Sequence, residues 1–273
     1  ASRILHLVQS GTDNRLSALT LEPQRVLPLS WLWDISFLVR NAPLPLADGG
    51  MVLPAHFEIG IKYPVALRFD RQGRFMGMVR LSQRKHLLQP TLLAQSTHQW
   101  LALMRNNQPG ALIPAVQTTD GGQTWQDLPD LALTNPDAAV AALSLAPGQM
   151  LLAHNNSPHS RAWLELSASA NGLQWQGMQA LAQGVEKDEF SYPALAWAGD
   201  ALWVSYTEHR RSIAWQRFAV PTAVPTAVPT AVAASAAHAN LNLVNPSCPG
   251  SGRGCAASVP APTAQQPRLA VQP

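Results

Sequence analysis

The chain has 273 residues, 47% of them hydrophobic and only 13% charged, with a formal net charge of +3. A charge that small, carried by scattered rather than striped basic residues, excludes an electrostatic nucleic-acid binder. No apolar run reaches the roughly eighteen residues that a membrane-crossing helix needs. The length suits one large domain or two small ones. Nine Trp stand beside three Tyr and six Phe, a bias that suggests a repeat architecture. The chain opens Ala1-Ser2-Arg3-Ile4 with no visible signal peptide, so a removed leader or a fragment is expected. Cys248 and Cys255 both lie near the C-terminus, where an incidental pair is expected in preference to a disulfide.

Residues 1–34 carry short apolar runs such as Ile4-Leu5-His6-Leu7-Val8, then the turn residues Gly11-Thr12-Asp13-Asn14. They read as strands with an irregular link into Ser30-Trp31-Leu32-Trp33. From residue 35 the pattern is regular. Strands are expected at 35–39, 51–54, 65–69 and 75–81, with 43–50 as a loop ending in the hairpin signal Asp48-Gly49-Gly50. A second unit follows at 90–94, 100–105, 113–118 and after Trp125. A third covers 138–145, 150–155, 163–169 and a strand from Gln174, and three strands of a last unit fall at 193–197, 201–206 and 212–218.

The hairpin inside the second unit reads Thr118-Thr119-Asp120-Gly121-Gly122-Gln123-Thr124-Trp125, the Ser/Thr-x-Asp-x-Gly-x-Thr-Trp pattern of an Asp-box. Gly121 and Gly122 permit positive φ, and Asp120 can accept the turn's own N–H groups. Thr124 suits an incipient strand, and Trp125 plugs the turn onto the sheet below. A decayed copy runs from Ala168 to Trp175, with Gly172 and Trp175 in place and Ala170 at the Asp position. Trp125 and Trp175 are fifty residues apart, the spacing of one propeller blade. The fold class is therefore all-β, a β-propeller with about four blades present.

At about residue 219 the composition changes. Pro221-Thr222-Ala223-Val224 is repeated three times, and the rest, rich in Ala and Pro, contains no Asp or Glu. Residues 1–218 are expected to be the propeller, and 219–273 a low-complexity, disordered or polyproline-like tail. That tail reads equally as a tether or as a terminus under little selection.

Three stretches carry a resemblance. The first is Leu38-Val39-Arg40-Asn41-Ala42-Pro43 with Leu53-Pro54-Ala55-His56-Phe57-Glu58. The second is Leu88-Gln89-Pro90-Thr91 with Leu103-Met104-Arg105. The third is Asn155-Asn156-Ser157-Pro158-His159-Ser160-Arg161 with Glu189-Phe190-Ser191-Tyr192-Pro193-Ala194-Leu195. Together with the Asp-box, they resemble the bacterial branch of the sialidase (neuraminidase) superfamily with BNR repeats. The resemblance implies a propeller of the six-bladed type, incomplete at its N-terminal side. It also implies a glycan partner with a terminal acidic sugar, and an extracellular or periplasmic setting.

Such enzymes hold the sugar carboxylate with three arginines, because a guanidinium fork meets a carboxylate with two charge-assisted hydrogen bonds. They attack with a Tyr, assisted by a Glu, and use an Asp as acid/base. A free Tyr titrates near ~10, so the helper is needed at neutral pH. By resemblance, Arg105 matches the second arginine, Arg161 the third and Tyr192 the nucleophile. The family's Glu position holds Gln89, which cannot act as a base, and Glu189 is the candidate substitute. Arg40 and His56 are expected near the pocket without an assigned role. No cofactor and no catalytic metal are expected, since no His/Cys/Asp cluster has ligand spacing. The alternative reading is a non-catalytic propeller that binds glycan or protein.

Overall fold

The computed structural model describes residues 3–9, 19–27, 29 and 37–219. The expected turn at 11–14, the link at 30–33, the Pro/Ala-rich tail and both cysteines lie outside the described residues. Among the described residues twenty strands follow one another. The first two are β1 (Arg3–Gln9) and β2 (Leu19–Val26), which pair with each other as antiparallel strands. The next are β3 (Phe37–Val39), β4 (Leu44–Pro45), β5 (Met51–Phe57), β6 (Tyr63–Phe69) and β7 (Phe75–Arg80). Then come β8 (Leu87–Ala94), β9 (Trp100–Asn106), β10 (Ala111–Leu112), β11 (Ala115–Thr118), β12 (Gln126–Asp127) and β13 (Thr134–Asn135). The last are β14 (Ala141–Ala146), β15 (Gln149–His154), β16 (Trp163–Ser169), β17 (Gln176–Gln183), β18 (Phe190–Ala198), β19 (Ala201–Glu208) and β20 (Ser212–Ala219).

These strands build a four-blade propeller arrangement of antiparallel sheets. The first blade is β3-β5-β6-β7 with β4 also on β5, the second β8-β9-β11-β12, the third β14-β15-β16-β17, and the fourth β18-β19-β20. Among the described residues there is no helix, and so none long and apolar enough to cross a membrane. Two expectations need adjusting. The loop at 43–50 contains the short strand β4, and the strand expected at 113–118 begins only at Ala115, as β11, while a separate short strand before Pro114, β10, pairs away to β13. Proline has no N–H to give to a ladder, so the break falls where the chemistry requires it.

The blades stack through their faces, with β8 against β5 and β6, β14 against β8, and β18 against β14 and β15. Alternate side chains of one strand point to opposite faces. On β9, Trp100, Ala102 and Met104 pack with Val52, Ala66 and Leu81 of the first blade's side. Leu101 and Leu103, between them, pack with Val140, Met150 and Leu152 of the third blade. On β15, Leu151 and Ala153 turn instead to Leu202, Val204 and Phe218 of the fourth. Burial on both faces explains the near-continuous apolar runs of the middle blades. The far face of the fourth blade exposes Trp203, Trp215 and Ile213, with Trp203 and Trp215 in ring contact at 5.3 Å.

The Asp-box closes the β11–β12 hairpin. The Asp120 carboxylate accepts the N–H groups of Gln123 and Thr124 at 2.9 and 3.0 Å, and the Thr118 hydroxyl donates to it at 2.7 Å. The Thr118 oxygen in turn accepts the Gly122 N–H at 3.0 Å, and the Trp125 indole donates to the Gly122 carbonyl. The Thr124 hydroxyl above all, and then the backbone N–H groups, hold the Asp120 carboxyl far below its ordinary value. In the second copy the acceptor is Asn171, not the position of Ala170. Its Oδ1 takes the N–H groups of Leu173 and Gln174, while Ser169 caps Gly172 and Trp175 bonds the Gly172 carbonyl. The loop is one residue shorter between acceptor and Gly, so the functional alignment slips by one.

Candidate functional site

Three inner strands begin in the same strained way. Gln89, Asp137 and Tyr192 all have positive φ, at 52°, 53° and 54°, although none is Gly. Such residues persist only where their surroundings over-determine them, and they concentrate at functional sites. In the second blade, the β8–β9 register slips between Leu88 and Thr91, leaving Gln89-Pro90 outside the ladder. In the fourth, the β18–β19 register slips between Ser191 and Ala194, leaving Tyr192-Pro193 outside in the same manner. In the third, buried Asn135 fixes the turn by accepting the Ala138 N–H at 3.1 Å and donating to the Ala138 carbonyl at 2.9 Å.

Around these positions arginines converge from three blades. Arg105, the last residue but one of β9, donates through Nε to Asp137 Oδ1 at 2.6 Å and through Nη1 to Gln89 Oε1 at 3.3 Å. Arg161, just before β16, donates to Glu189 Oε1 at 3.0 Å and to the backbone carbonyl of Asp137. Its Nη2 also stands 4.0 Å from Asp137 Oδ2. Arg40 follows β3 and reaches across the site to the Pro193 carbonyl, with its guanidinium carbon 5.8 Å from the centre of the Tyr192 ring. Asn41 beside it accepts from Arg40 and donates to the carbonyls of Gln89 and Pro90, tying the first blade to the second.

The charges are unevenly matched. Among the described residues, Arg105 and Arg161 each have a carboxylate partner, while Arg40 has none. Burial lowers the Arg40 guanidinium to about 10, opposed by the adjacent Tyr192. Burial also pulls Arg105 down, but the Asp137 carboxylate and then Tyr192 outweigh it and raise Arg105 above its ordinary value. Tyr192 thus stands in the field of two guanidinium groups and is 38% exposed.

Glu189 is held from several sides, by Arg161, by Arg210 at 2.8 Å and by the Ser191 hydroxyl at 2.9 Å. No hydrogen bond joins it to Tyr192 among the described residues. His56 lies one residue from the end of β5, buried, with Nε2 at 3.4 Å from Glu58. Burial lowers its pKa, Glu58 opposes that, and the nearby Arg105 charge lowers it further. The five Asp-box residues are all in the hairpin between β11 and β12, apart from this cluster. Sequence reasoning missed Asp137 and Asn41. Asp137 sits in a bare Pro-Asp-Ala stretch, and only its place at the head of an inner strand, matching Gln89 and Tyr192, marks it. Among the described residues no group of His, Cys, Asp and Glu could hold a metal ion.

A family model described as a BNR repeat-like domain matches residues 6–204. The chain belongs to that family. No curated protein matches it in sequence. Solved sialidases share the fold of this BNR-repeat protein. A Hadza microbial sialidase, Hz136, superposes with a TM-score of 0.53 at 16% identity, over 64% of this chain and 36% of that one. The Trypanosoma rangeli sialidase in complex with sialic acid gives 0.53 at 13% identity, over 78% of this chain and 37% of that one. The NanB sialidase from Streptococcus pneumoniae gives 0.55 at 13%, over 72% and 31%. The BNR-repeat chain therefore spans about a third of the length of each, and the likeness is one of sialidase-type propeller fold.

Proposed function

We propose that this BNR-repeat protein is a sialidase-like glycoside hydrolase acting on a glycan with a terminal acidic sugar. The observation that carries the reading is the exposed Tyr192, set on a strained bulge in the field of Arg40 and Arg105. Arg40 would receive the sugar carboxylate, with Arg105 and Arg161 lining the same pocket. As the Tyr192 oxygen bonds the anomeric carbon and the glycosidic bond breaks, the phenol proton would pass to the departing oxygen. Water would then cleave the tyrosyl–sugar bond, returning a proton to Tyr192 and leaving the free sugar. The two guanidinium groups stand beside the ring where negative charge develops during the attack. Glu189 serves this scheme by fixing Arg161.

The test is fluorophore release from an aryl sialoside by the full chain and by Tyr192→Phe. Native release with a loss of about a thousandfold or more in the variant is expected. Equal rates would remove Tyr192 from the mechanism.

Gln89 favours a second reading, a propeller that binds the sugar without cleaving it. An amide cannot take the tyrosine's proton, and Gln89 instead accepts from Arg105. Calorimetric binding of free sialic acid by a chain that releases no fluorophore would select this reading.

A further inference from the structure

We infer that Asp137 is a specificity-determining residue. Its carboxylate occupies the anion position of the Arg105–Arg161 pair, so the ligand's own anion must be received at Arg40. Asp137 reaches Arg105 Nε at 2.6 Å and stands 4.0 Å from Arg161 Nη2, so one carboxylate spans guanidinium groups from two blades. Its backbone carbonyl accepts from the same Arg161 nitrogen, which makes both ends of the residue part of the arrangement. The conformation is costly for a non-Gly residue, with φ at 53°, and buried Asn135 grips the following residue through two hydrogen bonds to hold it. With Glu189 on the far side of Arg161, the pair is matched by two carboxylates before any ligand arrives.

The consequence is a divided site. Among the described residues Arg40 is bound only by neutral oxygens, those of Asn41 and Pro193, and no carboxylate offsets its charge against Tyr192. A ligand's single carboxylate is drawn there. The Asp137 side chain, 42% exposed, remains able to accept hydrogen bonds from neutral hydroxyl or amide groups, and it repels a second anionic group. A monoanionic sugar fits this pattern, and a dianionic one such as a sugar phosphate does not. The sugar class rests on the function proposed above, whereas the charge argument does not.

The experiment titrates inorganic sulfate, and separately free sialic acid, into the native chain, Asp137→Asn and Asp137→Gly by calorimetry at low salt. Gly accepts the positive φ without strain, so it keeps the test open if the Asn variant fails to fold. Removing one negative charge beside two guanidinium groups should tighten sulfate binding by about tenfold or more, with a steeper loss on adding salt. Unchanged or weaker sulfate binding in a variant that melts like the native chain would overturn the inference. Failure of sialic acid to bind any of the three would instead overturn the sugar reading, leaving the sulfate comparison to decide the role of Asp137.

Discussion

Glu189 shows how one side chain can matter to a site without touching the reacting atoms. Burial pushes its carboxyl up, but hydrogen bonds from Ser191, Arg210 and Arg161 together prevail and hold it below its ordinary value. A carboxylate whose folded value lies below its unfolded one contributes stability at pH values above the unfolded value. That contribution disappears as pH falls through the folded value. Between pH 7 and pH 3, the melting temperature of native protein should therefore fall faster than that of Glu189→Gln, and the two curves should converge at the acid end. Parallel curves would mean that Glu189 gains nothing from its three partners. Arg40 has the opposite character. Its cationic form is disfavoured by burial, and it is kept charged at neutral pH only by the distance between about 10 and 7.

At the scale of elements, the hairpins set the blade faces in place. A Cβ on Gly122 would lie 2.6 Å from Cζ3 of Trp100, and φ there is +86°. Gly122→Ala should cost about 2 kcal/mol or more, since strain and overpacking add. Gly110 has φ +67° but open space around it, so Gly110→Ala should cost only about 1 kcal/mol. Urea midpoints of the two variants check the difference, and equal shifts would show that packing against Trp100 is not what Gly122 protects. Most strands were legible in the chain because turn residues punctuate alternating or fully apolar runs. What was not legible has identifiable causes. The second box hides its acceptor because Asn171 does the work of Asp one residue out of step. Asp137 belongs to no motif, and its neighbours Arg105 and Arg161 come from other strands. The Arg40 contact with Pro193 joins residues far apart in the chain, which no local pattern encodes.

Over the whole molecule, each middle blade is bonded to neighbours on both sides by alternate residues of the same strand. Leu152 is fully buried in the cluster that joins the second blade to the third. Leu152→Ala should lower stability by about 2–5 kcal/mol in urea unfolding. Because β9 and β15 share that core, hydrogen exchange should speed up on both strands together. Acceleration confined to β15 would mean that the blades open separately. The site depends on this coupling, since Arg40, Arg105, Arg161 and Tyr192 each come from a different blade and meet only while the faces stay together. The three left-handed positions add one more property. Gln89, Asp137 and Tyr192 share one backbone device but carry an amide, a carboxylate and a phenol. The fold thus offers interchangeable sockets around its axis. A change of chemistry at this centre can proceed by swapping what is plugged in, while the scaffold that aims it stays as it is.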